Sequence, residues 1–212
     1  MYADIVSYMQ NYISDYAMSV LAHIRISALS VTLAILIAVP LGLLGSRNQR
    51  LNRIFNEGFG LLRIVPSLAI LVVCIPLIGV GVLPAVVALT ILAIPPILIS
   101  TAVGFSSVNE SVIENAVGMG MHPSMILMRI ELPLAFPLIL AGIRTAAVEV
   151  IASATLAAYI GGGGLGTIIF TGLGLYRVDL LVIGGFSVAT LSLLADLLLN
   201  ALERLATRYQ RI

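Results

Sequence analysis

Ile113-Glu114-Asn115-Ala116-Val117-Gly118-Met119-Gly120, running on to Ile130-Glu131-Leu132-Pro133, is the longest polar interruption in an otherwise apolar chain. Polar and small residues from 105 to 131 separate two halves that each read as lipid-facing. Those halves set the class. Of the 212 residues, 60% are hydrophobic and 10% charged, against about 25% charged in soluble domains. An all-α membrane protein of one domain follows.

Composition also excludes chemistry. All eleven basic residues are Arg, which rules out a Walker-type phosphate loop and a Schiff-base lysine. Cys74 is the single cysteine, so no internal disulfide can form. His23 and His122 have no metal-ligand spacing around them, and no metal site is expected. The net charge of +1 points to no nucleic-acid partner.

Working outward, five stretches reach the roughly 20 apolar residues that cross about 30 Å of hydrocarbon. They fall at about 19–44, 58–78, 82–101, 134–160 and 180–202, within one transmembrane domain of residues 19–212. Pro40 and Gly42 are expected to kink or end the first, and Pro95-Pro96 to break the hydrogen-bond ladder of the third. Residues 1–18 carry Tyr2, Tyr8, Tyr12 and Tyr16, a spacing that suits an interfacial amphipathic helix; a plain tail is the alternative. Arginines 47, 50, 53, 129, 204, 208 and 211 fall in loops on one side and Arg177 on the other. Under the positive-inside rule this puts the N-terminus outside, the C-terminus in the cytoplasm, and segment 105–131 in the cytoplasm.

Within that segment Asn109 or Ser111 can cap a short helix with Glu114 in its first turn, and Gly118 and Gly120 stop it. His122-Pro123 then turns the chain into a second helical piece at about 124–129. Val112, Ala116 and Met119 share one face, flanked by Ile113 and Val117. Two short helices joined by a glycine turn make a knob apolar enough to dock in a groove.

The spacing Glu-x-Ala-x3-Gly-x9-Ile-x-Leu-Pro, met at Glu114, Ala116, Gly120, Ile130, Leu132 and Pro133, resembles the EAA motif of ABC-importer permease subunits. Asn115 departs from the usual Ala. Pro66-Ser67-Leu68-Ala69, Leu140-Ala141-Gly142-Ile143-Arg144-Thr145 and Ala154-Thr155-Leu156-Ala157-Ala158-Tyr159-Ile160-Gly161 are similar to the short permeases of osmoprotectant importers, for glycine betaine, carnitine and choline. Arg63 departs where a neutral polar residue is expected. The resemblance implies a type I importer permease of the MetI-like fold, with cytoplasmic coupling helices, in a bacterial plasma (inner) membrane. It also implies docking on two cytosolic ATPase subunits through Glu114, Asn115, Ala116, Gly120, Met121, Leu132 and Pro133. ATP and Mg would be bound by those partners, leaving no catalytic residue or cofactor in this chain. A binding protein outside and a second permease copy, identical or homologous, complete the implied assembly. Methionine, a thiol betaine or another small solute remains an alternative cargo. A stand-alone secondary transporter or channel is the alternative from another class.

Buried ionisable residues in a membrane read as functional by default. Arg63 and Asp196 are expected at one depth, where they can pair; the other reading has Arg63 snorkelling alone. Glu149 lies near mid-span, about 140° around the helix from Arg144, too far for a mutual salt bridge. Glu149 either meets a cationic solute on the translocation path or is a structural or protonated Glu. Gly162, Gly163, Gly164 and Gly166 follow a helix, with no Lys nearby, so they form no nucleotide cradle. They read as a sharp turn at the outer gate, and Ala146, Ala147, Ala152, Ser153, Ala154, Ala157 and Ala158 as a surface for close helix approach.

Overall fold

A computed structural model describes residues 2–206, and among them every regular element is helical. α1 (Tyr2–Asn11) leads into α2 (Ile13–Arg47), α3 (Gln49–Leu62), α4 (Ser67–Ile78) and α5 (Val82–Ser106). α6 (Glu110–Gly118) and α7 (Pro123–Ile126) form the central segment; a π-helical turn (Leu127–Glu131) joins α7 to α8 (Leu132–Ala157), which ends in a 3-10 turn (Ala158–Ile160). α9 (Leu165–Gly174) and α10 (Val178–Ala206) follow. Arg208 and Arg211, counted above among the charges of one side, lie outside the described residues.

By length and composition, Ile13–Arg47, Val82–Ser106, the continuous run Pro123–Ile160 and Val178–Ala206 can each cross a membrane. The expected span at 58–78 is not one helix. Arg50–Leu62 and Ser67–Ile78 meet at a bend of 93°, because Pro66 lacks an amide hydrogen and disfavours helix in the residue before it. α3 ends at its cap Arg63, and Pro66 caps α4. Phe55 and Phe59, edge to face at 6.2 Å, turn α3 onto the main core.

The bent pair still carries the chain across. α2 ends at Arg47, which pairs with Glu131 beside the central segment, whereas α5 begins where Gly81 N–H donates to the Ile160 carbonyl at 2.7 Å, the far end of α8. α3 and α4 must therefore cover the distance between those two ends, and with the bent pair counted as one span the total reaches up to five.

Two further expectations change. Pro40 and Gly42 do not end the first span: α2 runs on to Arg47, and it starts at Ile13 rather than about 19. Pro95 and Pro96 take their own amide hydrogens out of the ladder of the third, but α5 passes through both as one helix with both side chains buried. Segment 46–53 is not a loop either. Asn48 ends α2 and caps α3, its side-chain oxygen accepting from the Arg50 and Leu51 amides at 2.9 and 3.3 Å.

α5 is the centre of the bundle, packed by α2, α4 and α8. Helices in lipid associate through close packing rather than hydrophobic exclusion, which favours small residues at the contact. A Cβ on Gly42 would lie 2.7 Å from Thr101 Cβ, and one on Gly142 would lie 2.5 Å from Ser100 Cβ and 2.8 Å from the Pro96 carbonyl oxygen. α2 and α8 thus touch α5 nearly backbone to backbone. Of the small residues singled out above, Ala146, Ala147, Ala154 and Ala157 are buried as expected, but Ala152 is exposed. Two buried hydroxyls bond one turn back along their own helices: Ser30 Oγ donates to the Ile26 carbonyl at 2.9 Å, and Thr90 Oγ1 to the Val86 carbonyl at 2.7 Å, whereas buried Ser27 Oγ meets no partner among the described residues. Leu36, Leu77 and Phe186 point outward, the inverse of a soluble protein.

Gly142→Val is expected to force α8 off α5 and destabilise the detergent-solubilised protein by about 1–3 kcal/mol, the usual overpacking cost. A thermal-unfolding series comparing it with Gly185→Val, where no atom lies within 4 Å of the added Cβ, checks this; equal losses would contradict the contact.

Candidate functional site

The central segment folds as its residues dictate. Asn109 is the cap, its Oδ1 accepting from the Ser111 amide at 3.0 Å and from the Ser111 hydroxyl at 2.8 Å. At the other end Gly120 sits at φ +79; Gly120 N–H donates to the Val117 carbonyl (2.9 Å) and Met121 N–H to the Ala116 carbonyl (3.1 Å). That pair of bonds is a Schellman cap, which requires a left-handed residue. Gly118 stays within the helix, so Gly120 alone stops it. His122 Nδ1 then accepts from Ser124 and Pro123 opens α7.

Segment 124–129 is not a free-standing second helix. α7, the π turn and α8 form one rod from Pro123 to Ile160. The π turn lies immediately before Pro133, where a proline would clash with the carbonyl four residues back; Leu132 N–H bonds instead to the Leu127 carbonyl, five back. Leu132 and Pro133 are half-buried at this junction, and Met121 is half-buried beside it. Ala116 is 1% exposed and is not on an outer face as expected; it turns inward, as Ile126 of α7 does. What α6 offers outward is Val112, Glu114, Asn115, Val117, Met119 and Gly120.

One ion pair leaves no signal in the sequence. Arg47, the last residue of α2, embraces Glu131 with both guanidinium arms, Nη1 to Oε1 at 3.0 Å and Nη2 to Oε2. The Glu131 side chain is 5% exposed and that of Arg47 50%. Arg47 had been read only as a loop charge, and Glu131 occupies the variable place in Ile-x-Leu-Pro. The clasp joins the end of α2 to the foot of α8.

The intramembrane charges pair differently from the expectation. Asp196 accepts from Arg144 Nε at 2.6 Å, not from Arg63, and Glu203 lies 3.6 Å from Arg144 Nη1. Arg63 is drawn away by the bend at Pro66, where it caps α3. No bridge joins Arg144 and Glu149, yet both line one open groove of about 420 Å³ with Thr145, Val148, Ala152 and Asp196. Arg63 is the charged group that acts on Glu149.

At the other end of the rod a second Schellman cap forms at Gly161 (φ +80): Gly161 N–H donates to the Ala158 carbonyl and Gly162 N–H to that of Ala157. Gly162, Gly164 and Gly166 then lie against Ala157, His23 and Thr155 so closely that a Cβ would sit 2.9, 3.0 and 2.0 Å from their nearest atoms; Gly163 meets nothing. Buried His23 donates from Nε2 to the Ile151 carbonyl at 3.0 Å, tying α2 to this end of α8. Among the described residues no group of three His, Cys, Asp or Glu side chains could hold a metal ion.

A helical bundle with a capped knob at the foot of a membrane-length rod can be set beside known proteins. Residues 11–208 match the family described as binding-protein-dependent transport system inner membrane component. The chain belongs to that family. It is the membrane-spanning permease subunit of an ABC importer. The permease is 46% identical to the carnitine transport permease protein of Listeria monocytogenes over 181 residues, 85% of this chain and 83% of that one. It is 41% identical to the choline transport system permease protein of Bacillus subtilis over 203 residues, 96% and 94% of the two chains. In fold it is similar to the inward-facing methionine ABC transporter, with a TM-score of 0.78 at 22% identity, over 91% of this chain and 96% of that one.

Arg47→Ala should cost the permease more stability than Glu131→Gln, because it leaves a buried carboxylate without its partner, a loss of about 1–3 kcal/mol. Thermal unfolding of both variants and of the exchanged pair Arg47→Glu/Glu131→Arg checks this. Rescue by the exchange supports the clasp, and equal stability of all three contradicts it.

Proposed function

We propose that this permease imports a quaternary-ammonium osmoprotectant, of the glycine betaine, carnitine and choline class. The observation that carries the assignment is 41–46% identity to carnitine and choline permeases across 85–96% of the chain. The α6 knob docks on a cytosolic ATPase through Glu114, Asn115, Val117, Met119 and Gly120, with Met121, Leu132 and Pro133 setting its base. Two such ATPases bind the ATP and Mg, and this chain hydrolyses nothing itself. A second permease copy, identical or homologous, supplies the second knob, and a solute-binding protein delivers cargo at the glycine-loop end, where Gly162, Gly163, Gly164 and Gly166 shape the outer gate.

Orientation follows from charge. Arg47, Arg50, Arg53, Arg129 and Arg204 belong to the α6 end and Arg177 to the other, an asymmetry that supports a cytoplasmic knob, an external N-terminus and a cytoplasmic C-terminus. Reconstitution with the ATPase and binding protein in vesicles tests the reading. ATP-dependent uptake of choline, carnitine or glycine betaine is expected. Uptake of methionine alone would overturn the solute, and uptake without ATP or ATPase would overturn the importer.

A further inference from the structure

α8 carries two grooves of opposite character. One, about 530 Å³, lies between α2, α8 and α10 and is lined almost wholly by aliphatic side chains such as Val31, Ile35, Ile143 and Leu194. The other, about 420 Å³, holds Arg144, Thr145, Glu149 and Asp196. The first can face lipid at no cost. The second cannot, because ionisable groups at membrane depth face a bundle interior or a water-filled cavity. Its volume lies within the roughly 300–1,000 Å³ of small-molecule sites.

The charges in the polar groove are unequal. Arg144 is committed to Asp196 at 2.6 Å and to Glu203 at 3.6 Å, so the one guanidinium already faces two carboxylates. Among the described residues no hydrogen bond or ion pair reaches the Glu149 carboxylate; Arg63 acts on it only through space, from outside the groove, whose own lining holds two carboxylates against one guanidinium. Thr145 and Ala152, one turn to either side of Glu149, are exposed and small, so the carboxylate is open to an approaching cation. No aromatic residue lines the groove. An aromatic cage would hold a quaternary ammonium firmly; a single carboxylate holds it loosely, and passage requires a site that the solute can leave.

We infer that Glu149 is a transit counter-charge: the groove between α8 and α10 belongs to the water-accessible path, and the trimethylammonium head of the solute passes along it against this carboxylate. The ligand class rests on the solute proposed above. Glu149 binds weakly and orients, while Arg144 and Asp196 hold the two walls together.

The test uses the assembled transporter in vesicles, with Cys74→Ala as background and a single cysteine introduced by Thr145→Cys or Ala152→Cys. Modification rates are compared for the trimethylammonium-bearing ethyl methanethiosulfonate and its sulfonate analogue, each relative to its rate with a free thiol in solution. The cationic reagent is expected to be favoured by roughly fivefold or more, the factor that one unit charge about 4 Å away gives in bulk water. Glu149→Gln should remove the preference and Glu149→Asp should keep it. Equal rates in the parent, a preference that survives Glu149→Gln, or no reaction with either reagent would each overturn the inference. Uptake in the same vesicles separates the two readings. A parent that carries neither choline nor glycine betaine overturns the solute assignment, while the labelling ratio still decides the groove.

Discussion

Everything in this permease hangs on one unbroken rod. From Pro123 to Ile160 the backbone stays helical for 38 residues, about 57 Å at 1.5 Å per residue. Prolines at 133 and 137 would ordinarily kink or break such a helix. The first is met by a π turn that moves a backbone bond from four residues back to five, and the helix continues. The rod carries the α6 knob at one end and the glycine loop at the other. Between them lie the Glu131 clasp, the Gly142 contact with α5 and the charged groove.

Two helices are closed by the same device. Gly120 at the end of α6 and Gly161 at the C-terminal end of the rod both adopt left-handed backbone and complete a Schellman cap, while the rod's N-terminal end is capped by His122. α9 ends the same way with a different residue: Tyr176 takes φ 56, Tyr176 N–H bonds to the Leu173 carbonyl, and Arg177 N–H bonds to that of Gly172. The side of the rod is fixed by close approach, and the foot by charge. Arg47 fastens α2 to Glu131, Arg144 fastens α8 to Asp196 and Glu203 on α10, and His23 fastens α2 to the Ile151 carbonyl.

The helical class, the count of up to five spans, the knob and its Asn109 cap were legible because each rests on local pattern: apolar length, arginine placement, a cap residue and a glycine. The bend at Pro66 was legible in principle, since the proline stood in plain view inside the expected span. The count of apolar residues across 58–78 carries no information on where the backbone bonds around Pro66 can go. Continuity through Pro95-Pro96 went the other way, because tertiary packing held a helix that local rules would interrupt. The inward turn of Ala116 and the pairing of Arg144 with Asp196 depend on which helices lie beside one another, which spacing along one chain does not carry. The Arg47–Glu131 clasp spans 84 residues and left no local trace.

The most direct test of a knob that couples ATPase to permease is site-specific crosslinking in the intact transporter. Cysteines are placed singly at exposed Val117 and Met119, at buried Ala116, and at Tyr176, which is 94% exposed at the opposite end, in a Cys74→Ala background. The account predicts crosslinks to the ATPase from positions 117 and 119, weak or none from 116, and none from 176. Crosslinks from 176, or an intact complex with none from 117 and 119, would contradict it.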